Sequence, residues 1–376
     1  MSYSANTNIC VSESSDTTDW NSINWNRIER YVDKQQKRIY KAEVNNDKRK
    51  VRDIQRLLAS SKAVLLLATR RVTEINKGRN TPGPDGFLAK TSKEKGELVD
   101  RLFKKSIYNY NPSPTLRIYI PKKNGKMRPL SIPTISDRIN QERIRILLEP
   151  QMEARFEPTS YGFRPNRGVY DAIQRIYYNI YTDNWRWVFE GDYKGCFDNL
   201  SHDFIINQLK GFVLKGVVER ILKAGYLDNN VFNETNKGTP QGSLLSPLLA
   251  NIALTGLEEY LNITYKEVNY NRNGEKHKTY VSKGNYRLVR YADDFVIFAQ
   301  TKEEIEEVKT ILEPYLDERG LELAKDKTTI THTHDGFNFL GFVRRARGFI
   351  PHTVSVKQFV SIPVALGFSP MKLLIE

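Results

Sequence analysis

The sequence predicts an α+β fold built on an antiparallel sheet with helices on one face. Three observations carry that expectation. Trp187-Val188-Phe189-Glu190-Gly191 is a short apolar run that ends on an acid, Asp192. Leu288-Val289 and Phe295-Val296-Ile297-Phe298-Ala299 flank Ala292-Asp293-Asp294, which reads as two strands joined by a tight turn. Helical patterns and a Gly/Pro loop lie between and after these strands, and strands and helices in that order suit a sheet covered by helices.

Composition narrows the partners. The chain has 376 residues, enough for a large core and two or three lobes. Its formal net charge is +14, which favours a polyanion, either nucleic acid or an anionic membrane. No apolar run approaches the roughly 20 residues of a membrane span; Ala63-Val64-Leu65-Leu66-Leu67-Ala68 is the longest candidate. The polar start of the chain has no apolar signal region, so nucleic acid is the better partner and no membrane is expected. Cys10 and Cys196 are too far apart in sequence to suggest a disulfide framework, and a reducing compartment is the simplest setting. His332-Thr333-His334 reads as a strand end and not as a zinc site.

Taken in order, residues 1–19 are rich in Ser, Thr and Asn and are expected to be disordered. Ile28, Tyr31, Val32 and Gln35 recur at i, i+3, i+4 and i+7, so residues 27–75 hold two or three helices within a helical N-terminal region, 20–90. Their Arg- and Lys-dense outer face is a solvated face by default and a candidate phosphate surface here. Gly78-Arg79-Asn80-Thr81-Pro82-Gly83-Pro84-Asp85-Gly86 is a rigid loop. A helix is expected over 92–107. Strands over 115–121 and 128–133 make a hairpin with Lys122, Lys123 and Lys126 at its Asn-Gly turn. Further helices are expected over 137–156, 169–180, 203–214, 217–224, 246–261 and 303–320. Residues 265–286 read as a protruding hairpin, and 337–342 with 348–350 as closing strands.

Asp is common in turns, so Asp293-Asp294 alone reads as a solvated tip. If the strand ending at Asp192 neighbours this hairpin, however, Asp192 and Asp293 converge at one edge. Carboxylates that close repel one another and call for a cation between them. Mg²⁺ suits hard oxygen ligands, and two metal ions about 3.5–4 Å apart can stabilise the attacking and leaving oxygens of a phosphoryl displacement. No Ser-His-Asp or Cys-His arrangement competes with this reading.

Tyr291-Ala292-Asp293-Asp294 resembles the signature of reverse transcriptases, and further blocks stand around it in the expected order. Gly191-Asp192-Tyr193-Lys194-Gly195-Cys196-Phe197-Asp198 is similar to the first catalytic block, and Gly238-Thr239-Pro240-Gln241-Gly242-Ser243 to the nucleotide-proximal one. Pro129-Leu130-Ser131-Ile132-Pro133 and Ser160-Tyr161-Gly162-Phe163-Arg164-Pro165 resemble the group II intron-encoded proteins in particular. The resemblance spans about residues 20–345 and implies right-hand polymerase fingers and palm over 91–345.

It further implies that Asp192 and Asp293 bind two catalytic Mg²⁺ ions, with Asp294 in support and the Tyr193 carbonyl as a further ligand. Phe197 would be the steric gate that meets a ribonucleotide 2′-OH. Lys122 and Arg128 would grip the dNTP triphosphate, Gln241 would contact the nucleotide or template, and Lys327 would lie near the leaving pyrophosphate. Phe339-Leu340-Gly341-Phe342 resembles the primer grip. The partners implied are an RNA template, a DNA primer, dNTPs and a group II intron RNA, in bacterial cytoplasm or an organelle. Residues 346–376 read unlike the basic helical thumb of the family, so a truncated form without thumb or endonuclease is expected. A non-polymerising RNA-binding remnant and a compact reverse transcriptase of a defence or diversity-generating system are the rival readings.

Overall fold

The computed structural model describes residues 17–121, 125, 127–181, 185–272, 275–345 and 348–351. The remaining residues, among them Lys122 and most of the expected tail, lie outside the described ones. The chain divides into two compact units: residues 1–155 with 206–246, and residues 156–205 with 247–376.

The first unit joins the helical extension to the 115–132 hairpin. Its helices begin where side chains satisfy the open backbone N–H groups of a first turn. Asn24 accepts from Arg27 N ahead of the helix Trp25–Val44, and Asp47 from Lys50 N ahead of Lys48–Ala59. Thr91 and Glu94 form a capping box on Ser92–Phe103. Ile28, Val32, Gln35, Ile39 and Ala42 form the buried stripe of the first helix, continuing the period read from sequence. The helix Ile135–Glu153 is buried on nearly every side, and its polar residues are paired accordingly. Gln55 Nε2 donates to Gln151 Oε1 at 2.7 Å, and Arg143 Nη2 to the Ala59 carbonyl at 2.9 Å.

Of the segment expected to be disordered, residues 1–19, only 17–19 are described, and Thr18 does not fit that expectation. Thr18 is buried, its N–H and hydroxyl both donating to the Asp100 carboxylate at 2.6 and 2.5 Å. Thr115–Pro121 pairs antiparallel with Met127–Ile132 and parallel with Tyr226–Asp228, which turns into Val231–Asn233. That last hairpin was not expected from sequence. Its signal is Asn229-Asn230, both at positive φ (48° and 66°), as a tight two-residue hairpin turn requires.

The second unit holds a four-stranded antiparallel sheet ordered Thr329–His332, Trp187–Gly191, Asp294–Ala299, Tyr286–Tyr291. Helices cover both of its faces, not one as expected. Ala172, Ile173, Ile176 and Ile180 of Val169–Tyr181 pack with Val188, Val289, Val296 and Phe298. On the opposite face Phe295 stacks with Phe189 and Tyr193, and the Tyr193 hydroxyl reaches Tyr315 of the helix Lys302–Arg319. The strands read as continuous apolar runs because both sides are buried. The single helix expected over 246–261 is two, Ser246–Leu254 and Leu257–Tyr260, broken where Gly256 takes φ 103°. The protruding hairpin is Thr264–Arg272 paired with Glu275–Lys283.

Gly191 allows the central strands to close. A Cβ there would lie 2.1 Å from Cζ of the Phe295 ring. Phe295 is 1% exposed, so the ring has nowhere to retreat. Gly191→Ala is expected to destabilise the protein by about 1–3 kcal/mol through overpacking, visible as a lowered melting temperature. An unchanged melting temperature would show that the ring can move aside.

Candidate active site

The sheet register brings the predicted acids together. Gly191 pairs with Phe295, so Asp192 leaves its strand opposite Asp294. Tyr291 pairs with Asp294 and closes the hairpin over Ala292 and Asp293. Asp192, Asp293 and Asp294 therefore share one edge of one sheet. The adjacent acids are re-aimed by the turn, in which Ala292 takes φ 56°.

That turn is held from behind by residues whose roles the sequence reading missed. Arg290 is 0% exposed. Its Nη1 donates to Asn251 Oδ1 at 3.1 Å and to the Ala292 carbonyl at 3.2 Å, and Glu157 stands 3.7 Å from Nη2. Asn251 Nδ2 in turn donates to the Gly162 carbonyl at 2.7 Å. Residues 159–162 run alongside: Arg290 N donates to the Thr159 carbonyl and Tyr161 N to the Arg290 carbonyl, at 3.0 and 2.9 Å. A Cβ on Gly162 would lie 2.4 Å from Ala292 N, so only glycine allows this approach. The Ser160-Tyr161-Gly162 block is thus the backing of the Asp-Asp turn.

Desolvation and like charges together set the electrostatics. The Asp294 carboxyl is pushed up to about 6 by desolvation first, then by the charges of Asp293 and Asp192, with Lys327 pulling the other way. Lys327 Nζ donates to Asp192 Oδ2 at 2.5 Å, and this bond raises the lysine above its ordinary value. Burial, followed by the Asp293 charge, pushes the Cys196 thiol up, so it stays protonated and is no nucleophile. Tyr193 sits opposite Leu323 in a short antiparallel bridge. The flanking bonds, Lys194 N to the Glu322 carbonyl and Ala324 N to the Asp192 carbonyl, are both 2.8 Å and leave the Tyr193 carbonyl outside the ladder.

The donor set fits Mg²⁺. Among the described residues no three acidic, histidine or cysteine side chains are gathered closely enough to enclose an ion by themselves. Mg²⁺ does not require that, because one or two carboxylates commonly hold it together with waters and substrate phosphates. Asp294, raised first by desolvation and then by the charges of Asp293 and Asp192, belongs to a set of hard oxygens of like charge, the donor chemistry a divalent cation suits.

The remaining predicted residues fall as follows. Phe197, on the short helix Cys196–Asn199, is half-buried beside the acids' strand and meets Phe163 edge to face at 6.3 Å. Arg128 and Gln241 belong to the first unit, and the residues above to the second. Arg128 is exposed on Met127–Ile132, and the Gln241 carbonyl accepts from Ser131 N of the same strand at 2.6 Å. A Cβ on Gly242, at φ 106°, would lie 2.8 Å from the Ser131 carbonyl, so the Gly/Pro loop is pinned to this strand. Lys122 lies outside the described residues.

Comparison with known proteins gives the same assignment. Residues 120–343 match the family described as reverse transcriptase (RNA-dependent DNA polymerase), and residues 20–102 match its N-terminal domain. Protein YkfC of Escherichia coli is 35% identical over 320 residues, covering 77% of this chain and 82% of that protein. The group II intron-encoded protein LtrA of Lactococcus lactis is 35% identical over 340 residues, covering 75% of this chain and 55% of LtrA. Maturase-like protein 1 of Euglena gracilis is 26% identical over 322 residues, covering 85% of this chain and 64% of that protein. Among solved structures, telomerase from Candida albicans in complex with a TWJ fragment of telomeric RNA superposes with a TM-score of 0.45 at 14% identity, covering 66% of this chain and 47% of that chain, a likeness too loose to argue from. The chain belongs to the reverse transcriptase family, the RNA-dependent DNA polymerases, with group II intron-encoded proteins among its relatives.

Proposed function

We propose that this chain copies RNA into DNA by transferring nucleotides from dNTPs to a primer 3′-OH, in the service of a group II intron RNA. The observation that supports this most is the convergence of Asp192, Asp293 and Asp294 at one sheet edge, with Lys327 on Asp192. Two Mg²⁺ ions held by Asp192 and Asp293, with Asp294 and the Tyr193 carbonyl in support, would supply activation of the primer hydroxyl and charge relief at the α-phosphorus. The primer 3′-oxygen would bond to that phosphorus, its proton passing to solvent water, as the bond from the α-phosphorus to the bridging oxygen breaks and pyrophosphate leaves with that oxygen.

The protein's own groups position and neutralise. Arg128 and Lys122 bind triphosphate oxygens, where cations offset the charge of the transferring group. Lys327, which meets Asp192, would lie near the leaving pyrophosphate, where a lysine can serve as a proton donor. Gln241 contacts the templated base pair, and Phe197 excludes a 2′-OH. The relatives come from bacteria and from eukaryotes, and no helix among the described residues is long and apolar enough to cross a membrane. Bacterial cytoplasm or an organelle is the setting we infer.

Primer extension on an annealed RNA template with Mg²⁺ and dNTPs tests the reading. Template-directed DNA product is expected, and its absence with RNA still bound would leave the rival, an RNA-binding protein that no longer polymerises. RNA affinity itself is expected to fall steeply with salt, since phosphate contacts release counterions. For 6–10 phosphate contacts the drop is roughly 10³–10⁵-fold between 50 and 200 mM salt, read by filter binding. A flat salt response would rule out a phosphate-dominated interface.

A further inference from the structure

Phe163 occupies a costly backbone conformation for no gain in burial. It takes φ 57°, where the Cβ of an L-residue crowds the following carbonyl and a bulky side chain is an outlier. Its neighbours fix it there. The Gly162 carbonyl is held by Asn251 at 2.7 Å, and Arg164 Nη1 donates to the carbonyls of Glu157 and Ser160 at 2.6 and 2.7 Å. Gly162 itself is pressed against the Ala292 backbone of the Asp-Asp turn. Yet the Phe163 ring remains 51% exposed, so it is not a core residue. What it meets is Phe197, with ring centroids 6.3 Å apart and planes at 82°, the favoured edge-to-face arrangement. Strain persists where the surroundings over-determine it, and such residues cluster at active sites and ligand clamps.

We propose that Phe163 determines sugar specificity by bracing Phe197. The two rings form one wall, and the strained backbone sets the angle from which Phe163 backs its partner. This inference rests on Phe197 being the 2′-OH gate. A half-buried Phe197 without its brace would retain the ring and lose its fixed position, so a ribonucleoside triphosphate would be rejected less well. The same segment that backs the Asp-Asp turn would then also set the gate. Catalysis and sugar choice would be positioned by one piece of chain, residues 159–164.

The test is the ratio of kcat/KM for dCTP over CTP on one RNA template. It is measured for the unsubstituted protein, Phe163→Ala, Phe163→Gly, Phe163→Tyr, Phe197→Ala and the Phe163→Ala/Phe197→Ala double variant. Phe163→Ala and Phe163→Gly are expected to lower the ratio by about 2- to 10-fold, the range an edge-to-face ring pair supports. Phe163→Tyr should restore it. The double variant should match Phe197→Ala alone, because the brace acts through the gate. Phe163→Gly adopts φ 57° without strain and keeps the measurement available if Phe163→Ala folds poorly. A ratio unchanged in Phe163→Gly while Phe197→Ala lowers it would overturn the brace and leave the gate standing. A ratio unchanged in Phe197→Ala would remove the gate and this proposal with it. Additive losses in the double variant would show Phe163 acting independently, which also overturns it.

Discussion

Asp293→Ala is expected to abolish primer extension, by roughly 10³-fold or more, while RNA affinity stays within about twofold. A carboxylate that holds a divalent cation contributes several kcal/mol of transition-state charge stabilisation, and each 1.36 kcal/mol is tenfold in rate. Asp293 stands at the tip of the hairpin between Tyr291 and Asp294, contributing no side chain to the sheet core. Its removal also takes one like charge away from Asp294, which desolvation first and then the charges of Asp293 and Asp192 hold above its ordinary value. The substitution removes no Lys or Arg from a chain that carries 58 of them against 44 Asp and Glu, so the cationic surface proposed to bind RNA keeps its charges. Primer extension and filter binding on the same preparations separate the two effects. Extension that survives in Asp293→Ala would place the chemistry elsewhere. Loss of both extension and RNA binding would mean that the turn, and not one ligand, had been disrupted.

Much of this site was legible because its signals are local. The strand ending at Asp192 and the Asp293-Asp294 hairpin are short runs bounded by turn residues, and caps such as Thr91 and Thr301 mark helix starts within three residues. What was not legible depends on pairing and depth. The sequence Trp187-Val188-Phe189 does not say whether one face is buried or two, although Val188 and Phe189 are adjacent and both fully buried. The apolar period carries straight through residues 246–261, so the break at Gly256 is invisible to periodicity; its positive φ arises in context. Arg290 gave no hydropathy signal at all. A charged residue between Val289 and Tyr291 reads as the solvent side of a strand, whereas the sheet buries it completely. The clue was indirect: Asn251 receives the guanidinium, and Gly162 of Ser160-Tyr161-Gly162-Phe163-Arg164-Pro165 admits the Ala292 turn.

Arg290→Met is expected to destabilise the protein by about 3–5 kcal/mol and to abolish extension. Removing one partner of a buried ion pair leaves the other uncompensated, and that penalty is larger than the net worth of the pair. The partner left behind is Glu157, 3.7 Å from the guanidinium, whose Oε1 accepts from Gly256 N and Glu258 N at 2.9 Å each. Arg290→Lys should recover only part of the loss. An ammonium keeps the charge but cannot reach Asn251, the Ala292 carbonyl and Glu157 together, as the planar fork does. Adding Glu157→Gln to Arg290→Met should return a share of the stability, because it removes the stranded charge. It should not return activity, because the guanidinium that joins the Ala292 carbonyl to Asn251 is gone. Thermal unfolding and primer extension on the four proteins measure both quantities. If Arg290→Met melts at the temperature of the unsubstituted protein, the buried guanidinium does not support the turn. If the double variant regains extension along with stability, Arg290 acts on the fold alone and the Asp-Asp turn holds its shape by other means.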